Sequence, residues 1–169
     1  MTTAAIVLAA GEGARFAGNT HKLTAEFRGR PLWAWAVDAA VAAGFEATYV
    51  ITGAVQLPIE PPAVNVRNDA WAEGQSTSLA AGIAAARAAG HDSVVVGLGD
   101  QPLVGSDAWR AVADATTTPI AVATFRGDRR PPVRLAAEVW PLLPDAGDEG
   151  ARVLMRGKPH LVTEVPCIG

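Results

Sequence analysis

The sequence predicts an α/β fold, a single domain of three layers in which a mostly parallel sheet is covered by helices on both faces. Three observations predict it. Short apolar runs of strand length alternate with alanine-rich amphipathic segments, the order expected of strand-helix-strand units. Half of the 169 residues are hydrophobic and 18% are charged, a balance that suits strands buried on both faces. No stretch has the low complexity of a linker, so residues 1–169 read as one unit.

The strands are expected at Ala4 to Ala9, Thr48 to Ile51, Val64 to Arg67, Ser93 to Leu98, Ile120 to Phe125 and Leu161 to Val165. Helices are expected between them at Pro31 to Ala43, Ser76 to Ala89, Ser106 to Thr116, Ala136 to Leu143 and Gly150 to Arg156. Pro31 suits a first helical position, and Gly44 and Gly90 suit the residue just past a helix end. The segment Gln56 to Ala63 carries three of the twelve prolines and reads as a rigid irregular connection.

Charge and cysteine usage exclude several classes. A net charge of −3 offers no general attraction to nucleic acid or to an anionic membrane. The single cysteine, Cys167, implies neither a disulfide framework nor a thiolate metal cluster, and a reducing, cytoplasmic compartment is the simpler expectation. The run Ala4 to Ala10 has no basic lead, is too short to span a bilayer and ends in glycine, so no targeting segment is expected there.

Ligands of parallel sheets sit outside the carboxyl ends of strands, which directs attention to three loops. The first, Leu8-Ala9-Ala10-Gly11-Glu12-Gly13-Ala14-Arg15, combines small residues with an arginine and continues to Lys22. Small residues let backbone N–H groups approach a polyphosphate, while Arg15 and Lys22 neutralise its charge. Lys22 is one of only two lysines against twelve arginines, which sets it apart from generic surface charge. A dinucleotide-binding fingerprint needs glycine where Phe16 stands, and a P-loop needs lysine where Asn19 stands.

The second loop, Asn68 to Leu79, gathers polar side chains where a helix begins. Ser76 fits an N-cap and a ligand contact equally well, whereas Gln75 and Ser78 offer amide and hydroxyl groups suited to reading a nucleobase. The third loop, Gly99-Asp100-Gln101-Pro102, puts a carboxylate at the end of a central strand. Such a carboxylate is costly without a cation, and magnesium favours one or two carboxylates plus phosphate oxygens, so Asp100 is the candidate metal ligand, with a turn cap as its alternative role.

In order and spacing, Leu-Ala-Ala-Gly-x-Gly-x-Arg with its following Lys22, then Gly-Gln-Ser-Thr-Ser-Leu, then Gly-Asp-Gln-Pro-Leu-Val resemble the molybdenum cofactor nucleotidyltransferase family, and its cytidylyltransferase branch in particular. The resemblance implies a GT-A-like, Rossmann-like nucleotidyltransferase domain with one antiparallel strand. It implies attack by the phosphate of molybdopterin on the α-phosphorus of CTP, with magnesium as cofactor and pyrophosphate as leaving group. Gly11, Gly13, Arg15 and Lys22 would then hold the triphosphate, Leu8, Ala9, Ala10, Gln75 and Ser78 would line the base and ribose pocket, and Asp100 would bind the metal. Partners would be the nucleotide, the phosphorylated acceptor and a recipient molybdoenzyme.

The branch assignment rests on Ala10, where guanylyl-transferring relatives tend to carry glycine; its methyl would narrow the pocket against a purine. Two features depart from the family. Arg130-Pro131-Pro132-Val133 stands where relatives often have His-Pro-Val or Asn-Pro-Val, and the chain is short for the family. Gly147-Asp148-Glu149-Gly150-Ala151-Arg152 does match a family segment, with Asp148 or Arg152 facing the acceptor or simply opening a helix.

The chemistry asks for these residue types. A phosphate monoester has its second pKa near ~6, so the acceptor is a dianionic nucleophile at neutral pH without a general base. The three histidines can then be bystanders. His91 and His160 flank expected strands and read as structural, and His21 beside Lys22 reads as a solvated loop histidine with a phosphate contact as its alternative. Trp71 and Trp109 lie near site loops, where either stacking on a base or ordinary packing is open to them. Rival activities are transfer to a sugar or alditol phosphate, a non-catalytic cofactor carrier, and a nicotinamide-dependent reductase, the last disfavoured by Phe16 and by the lack of an acidic residue ending the second strand.

Overall fold

The computed structural model describes residues 2–11 and 22–168, with the backbone alone at Lys22. The chain opens with β1 (Thr3–Ala9), in which Ala4 to Val7 are fully buried, as a strand covered on both faces must be. A two-residue hairpin, β2 (Glu26–Phe27) and β3 (Arg30–Pro31), turns through Arg28 and Gly29, both at positive φ. Then follow α1 (Leu32–Ala42), β4 (Ala47–Thr52), β5 (Ala63–Arg67), α2 (Gln75–Ala88), β6 (Ser93–Leu98) and α3 (Ser106–Asp114). The chain finishes with β7 (Ile120–Phe125), β8 (Asp128–Ala136), α4 (Ala151–Gly157) and β9 (Val162–Cys167).

Seven strands form one sheet in the order β5-β4-β1-β6-β8-β7-β9. Its pairs are parallel except the two made by β8, which runs antiparallel to β6 and β7. One face packs Ile6, Ile51 and Val94 under Leu79 and Ile83 of α2 and Met155 of α4. The other packs Val7, Val50 and Val95 under Val37 of α1 and Trp109 and Val112 of α3. This is the expected three-layer arrangement.

The glycines expected to end helices do so. Gly44 and Gly90 sit at φ +80° and +84° and donate to the carbonyls of Val41 and Arg87. Elsewhere the elements differ from the sequence reading. Pro31 precedes α1 instead of opening it, because its extended ψ of 146° belongs to the small hairpin. The helix expected over 136–143 is a 3₁₀ turn, Ala137–Leu142, with Pro141 inside it. Proline supplies no N–H to an α-helical ladder.

The largest addition is β8, a segment to which the sequence reading assigns no element; it supplies the one antiparallel strand that the resemblance implies. Its Arg130 pairs with Ala123 and its Val133 with Val122, so Pro131 and Pro132 occupy an irregularity in the ladder. Prolines are tolerated there because no ladder N–H is required of them.

Candidate functional site

In the sheet order, β1 connects leftward to β4 and β5 while its right-hand neighbour is β6, so the order reverses between β1 and β6. Open α/β sheets bind ligands outside the carboxyl ends of strands at such a point. Gly99 N–H donates to the Leu8 carbonyl at 2.9 Å, fastening the two strand ends together. A Cβ at Gly99 would come within 3.2 Å of that carbonyl oxygen, of Ala9 Cβ and of Leu23 Cδ2, so a larger residue there would need these neighbours to give way by a few tenths of an ångström. Asp100 follows at once, half-buried in a turn in which Gln101 N–H reaches back to the Leu98 carbonyl at 3.4 Å. Gly11 is exposed, whereas Ala9 and Ala10 are 2% and 3% exposed, and the Ala10 methyl belongs to the core on the α2 side. Gly13 and Arg15 lie outside the described residues, and Lys22 opens a 3₁₀ turn, Lys22–Thr24, beneath α1.

Beside this edge lies a cleft of about 540 Å³. Leu8, Val96, Leu98, Val122 and Met155 give it an apolar floor. Gln75 and Gln101 bring amides to it, so one residue from the second motif and the neighbour of Asp100 from the third face the same space as Leu8 of the first. Arg129, Arg130, Arg152 and Arg156 stand around it with Asp148 and Glu149. A smaller cavity of about 330 Å³, walled by Pro102, Leu103 and Phe125, adjoins it and shares Gln101 and Arg130.

The start of α2 is organised by residues distant in sequence. Gln75 N–H donates to Asp148 Oδ1 at 3.3 Å, Ser76 N–H to the Gly147 carbonyl at 2.9 Å, and Thr77 N–H to the Gly74 carbonyl at 3.1 Å. The first N–H groups of the helix, which a ligand or a capping side chain would otherwise satisfy, are therefore taken. Ser76 is not the cap: Gly74 precedes the helix, and the Ser76 hydroxyl is buried without a hydrogen-bond partner among the described residues. Ser78 is 4% exposed and accepts from Asn68 Nδ2 at 2.9 Å, so it supports the loop from behind and does not line the cleft. Asn68 Nδ2 also donates to Thr77 Oγ1, and its Oδ1 accepts from Ala70 N–H.

Glu149 accepts two hydrogen bonds from Arg156, each 2.7 Å, and these hold its carboxyl below the ordinary carboxylate range. Arg129 Nε donates to Glu164 at 2.7 Å. Arg134, next along β8, points away from the cleft. It is 6% exposed, reaches the Thr118 carbonyl at 3.5 Å, and desolvation lowers its pKa against an opposing effect from Glu138.

The tryptophans pack. Trp109 is 2% exposed under Gly97, where any Cβ would overlap its ring, and Trp71 lies against Gly53 and the α2-side core. His91 Nδ1 pairs with the Thr2 hydroxyl at 2.9 Å, and His160 is exposed near the start of β9. No acidic residue ends β4, which finishes at Thr52. Arg129 and Gln101 were not marked by the sequence as site residues. The signal available was the dense charge of Asp128-Arg129-Arg130, legible only once that segment is known to be a strand beside β7. Among the described residues no three His, Cys, Asp or Glu side chains gather as a ready-made metal cage, and no helix is long and apolar enough to cross a membrane.

Comparison with known proteins agrees with this architecture. The nicotine blue oxidoreductase of Paenarthrobacter nicotinovorans is 31% identical over 180 residues, covering 96% of this chain and 85% of that protein. The purine catabolism protein PucB of Bacillus subtilis is 27% identical over 165 residues, covering 89% and 79%. Among solved structures, a nucleotidyl transferase from Methanothermobacter superposes with a TM-score of 0.83 at 24% identity, covering 98% and 87%. Rv0371c of Mycobacterium tuberculosis in complex with manganese superposes at 0.76 and 23%, covering 100% and 90%. At these identities the structures establish the fold. The MobA-like NTP transferase domain model matches residues 5–163, and the chain belongs to that family as a nucleotidyltransferase.

Proposed function

We propose that this nucleotidyltransferase transfers CMP from CTP to the phosphate of molybdopterin and releases pyrophosphate. The observation that carries the reading is convergence: Leu8, Gln75 and Gln101, one from each of the three motifs, line one cleft at the carboxyl edge of β1 and β6. The acceptor phosphate, already a dianion at neutral pH, attacks the α-phosphorus. The new bond joins acceptor oxygen to that phosphorus as the bond to the β-phosphate oxygen breaks. Such transfers depend on positioning and charge stabilisation more than on covalent work by the protein.

Gly11 and Gly13 bring backbone N–H groups to the triphosphate, and Arg15 and Lys22 neutralise it. Asp100 fits a magnesium ion that arrives with the nucleotide: it is a half-buried carboxylate at a strand end, and magnesium is usually held by one or two carboxylates together with substrate phosphates. When bound, the ion reduces repulsion between the two anionic reactants. Leu8 gives the base side, while Ala9 and Ala10 are buried in the two cores behind it, so the Ala10 methyl would act against a purine only by setting the position of that wall.

The reading is tested by mass spectrometry of the product formed from CTP, magnesium and molybdopterin. A cytidine dinucleotide of the cofactor is expected. A nucleotide adduct formed only with a sugar or alditol phosphate overturns the acceptor assignment.

A further inference from the structure

Helix α2 begins without a local cap. Gly74 precedes it and offers no side chain, and no acidic residue stands in its first turn. A helix start needs partners for its first N–H groups and favours negative charge beside them. Both come from far along the chain: Asp148 Oδ1 accepts from Gln75 N–H at 3.3 Å, across a separation of 73 residues. Gly147 adds two bonds to the same loop, its N–H donating to the Glu73 carbonyl at 3.3 Å and its carbonyl accepting from Ser76 N–H at 2.9 Å. Residues 147 and 148 are thereby zipped along residues 73–76.

The zipped segment also seats the Gln75 side chain. A Cβ at Gly150 would lie 3.5 Å from Gln75 Oε1, so the bare backbone of Gly150 forms the surface beside that amide. Gln75, Asp148 and Gly150 all border the cleft, whereas Ser76 and Ser78 are buried behind it. A glutamine amide carries an acceptor at one corner and donors at the other, so it reads a base edge only when its direction is fixed by what supports it. Glu149, the next carboxylate along, is occupied by Arg156 through both oxygens and leaves that support to Asp148.

We infer that Asp148 is a positioning residue for base recognition: by capping α2 from a distant segment it sets the direction of Gln75, which reads the nucleobase. The inference rests on the nucleotidyl-transfer reading. It brings to the nucleotide side of the site a residue whose motif the sequence turned toward the acceptor.

The test is a double-mutant cycle, read by calorimetric titration of the full-length chain with CTP and with UTP in the presence of magnesium. Asp148→Ala is expected to weaken CTP binding about tenfold, the scale of one lost hydrogen bond to a charged group, and to bring the CTP-to-UTP affinity ratio close to one. Asp148→Asn, whose amide oxygen still accepts from Gln75 N–H, is expected to keep CTP affinity and the ratio within about twofold of wild type. Added to Gln75→Ala, Asp148→Ala is expected to cost less than about a further twofold. A wild-type ratio near one, or a wild-type ratio retained in Asp148→Ala, overturns the proposal. Equal losses in the two backgrounds also overturn it, since a merely structural cap would act without Gln75. If the wild-type chain binds neither nucleotide, the nucleotidyl-transfer reading falls, and amide exchange of the ligand-free protein judges the cap by itself. Ser76 N–H, whose carbonyl partner the substitution leaves in place, should then exchange at least about fivefold faster in Asp148→Ala, and an unchanged rate overturns the capping role.

Discussion

Asn68 Nδ2 donates to the Ser78 hydroxyl at 2.9 Å, a buried bond that ties the end of β5 to the first turn of α2 and so fixes the loop carrying Gln75. Asn68 is 7% exposed and uses its side chain on three partners. Asn68→Ala strands buried groups, at a cost of about 1–3 kcal/mol. Urea denaturation should register that loss; a change below about 0.5 kcal/mol, the usual range of a surface substitution, would contradict the role given to Asn68.

Gly74 has φ +116°, and a Cβ there would overlap the Gly147 carbonyl. Gly74→Ala therefore strains the backbone by about 1–3 kcal/mol and pushes the 147–150 segment away from α2. Because Asp148 and Glu149 line the cleft, the variant should raise the acceptor KM as well as lower stability. An unchanged KM would mean that the segment does not shape the acceptor side.

Asp100→Ala should reduce turnover by roughly a hundredfold to a thousandfold, the scale of losing one charge-stabilising group in the transition state. Asp100 is half-buried in a turn, so the melting temperature should move little. Near-normal turnover with magnesium would refute the metal assignment.

Ala10→Gly should shift preference from CTP toward GTP. It also removes a methyl buried at 3% exposure, costing about 0.8 kcal/mol in burial and a further 0.5–1 kcal/mol in chain entropy. Specificity is therefore best read as the ratio of kcat/KM values for the two nucleotides, in which lost stability cancels. An unchanged ratio would sink the narrowing argument.

The acceptor phosphate supplies the expected pH dependence. Its second ionisation near ~6 creates the dianion, so kcat/KM for the acceptor should rise with pH through that range and then level off. A second limb that disappears in His21→Ala would show that a histidine takes part.

The parallel strands were legible because Ala4 to Val7, Val94 to Val96 and Ile120 to Ala123 are apolar without interruption, as burial on both faces requires. Strand β8 was hidden because Arg129, Arg130 and the two prolines contradict that pattern, and the ladder irregularity that accommodates them is a tertiary feature. The same blindness concealed the arginine side of the cleft. Leu8 and Gln75 were legible as parts of ordered motifs, whereas the supporting place of Ser78 and the uncapped state of Ser76 depend on Asn68 and on Gly147, which arrives from far along the chain.

The central claim is nucleotidyl transfer, and pyrophosphate release measures it most directly. Purified protein with magnesium and molybdopterin is given each of the four ribonucleoside triphosphates in turn. Release that depends on the acceptor and is fastest with CTP is predicted; no acceptor-dependent release with any nucleotide would contradict it.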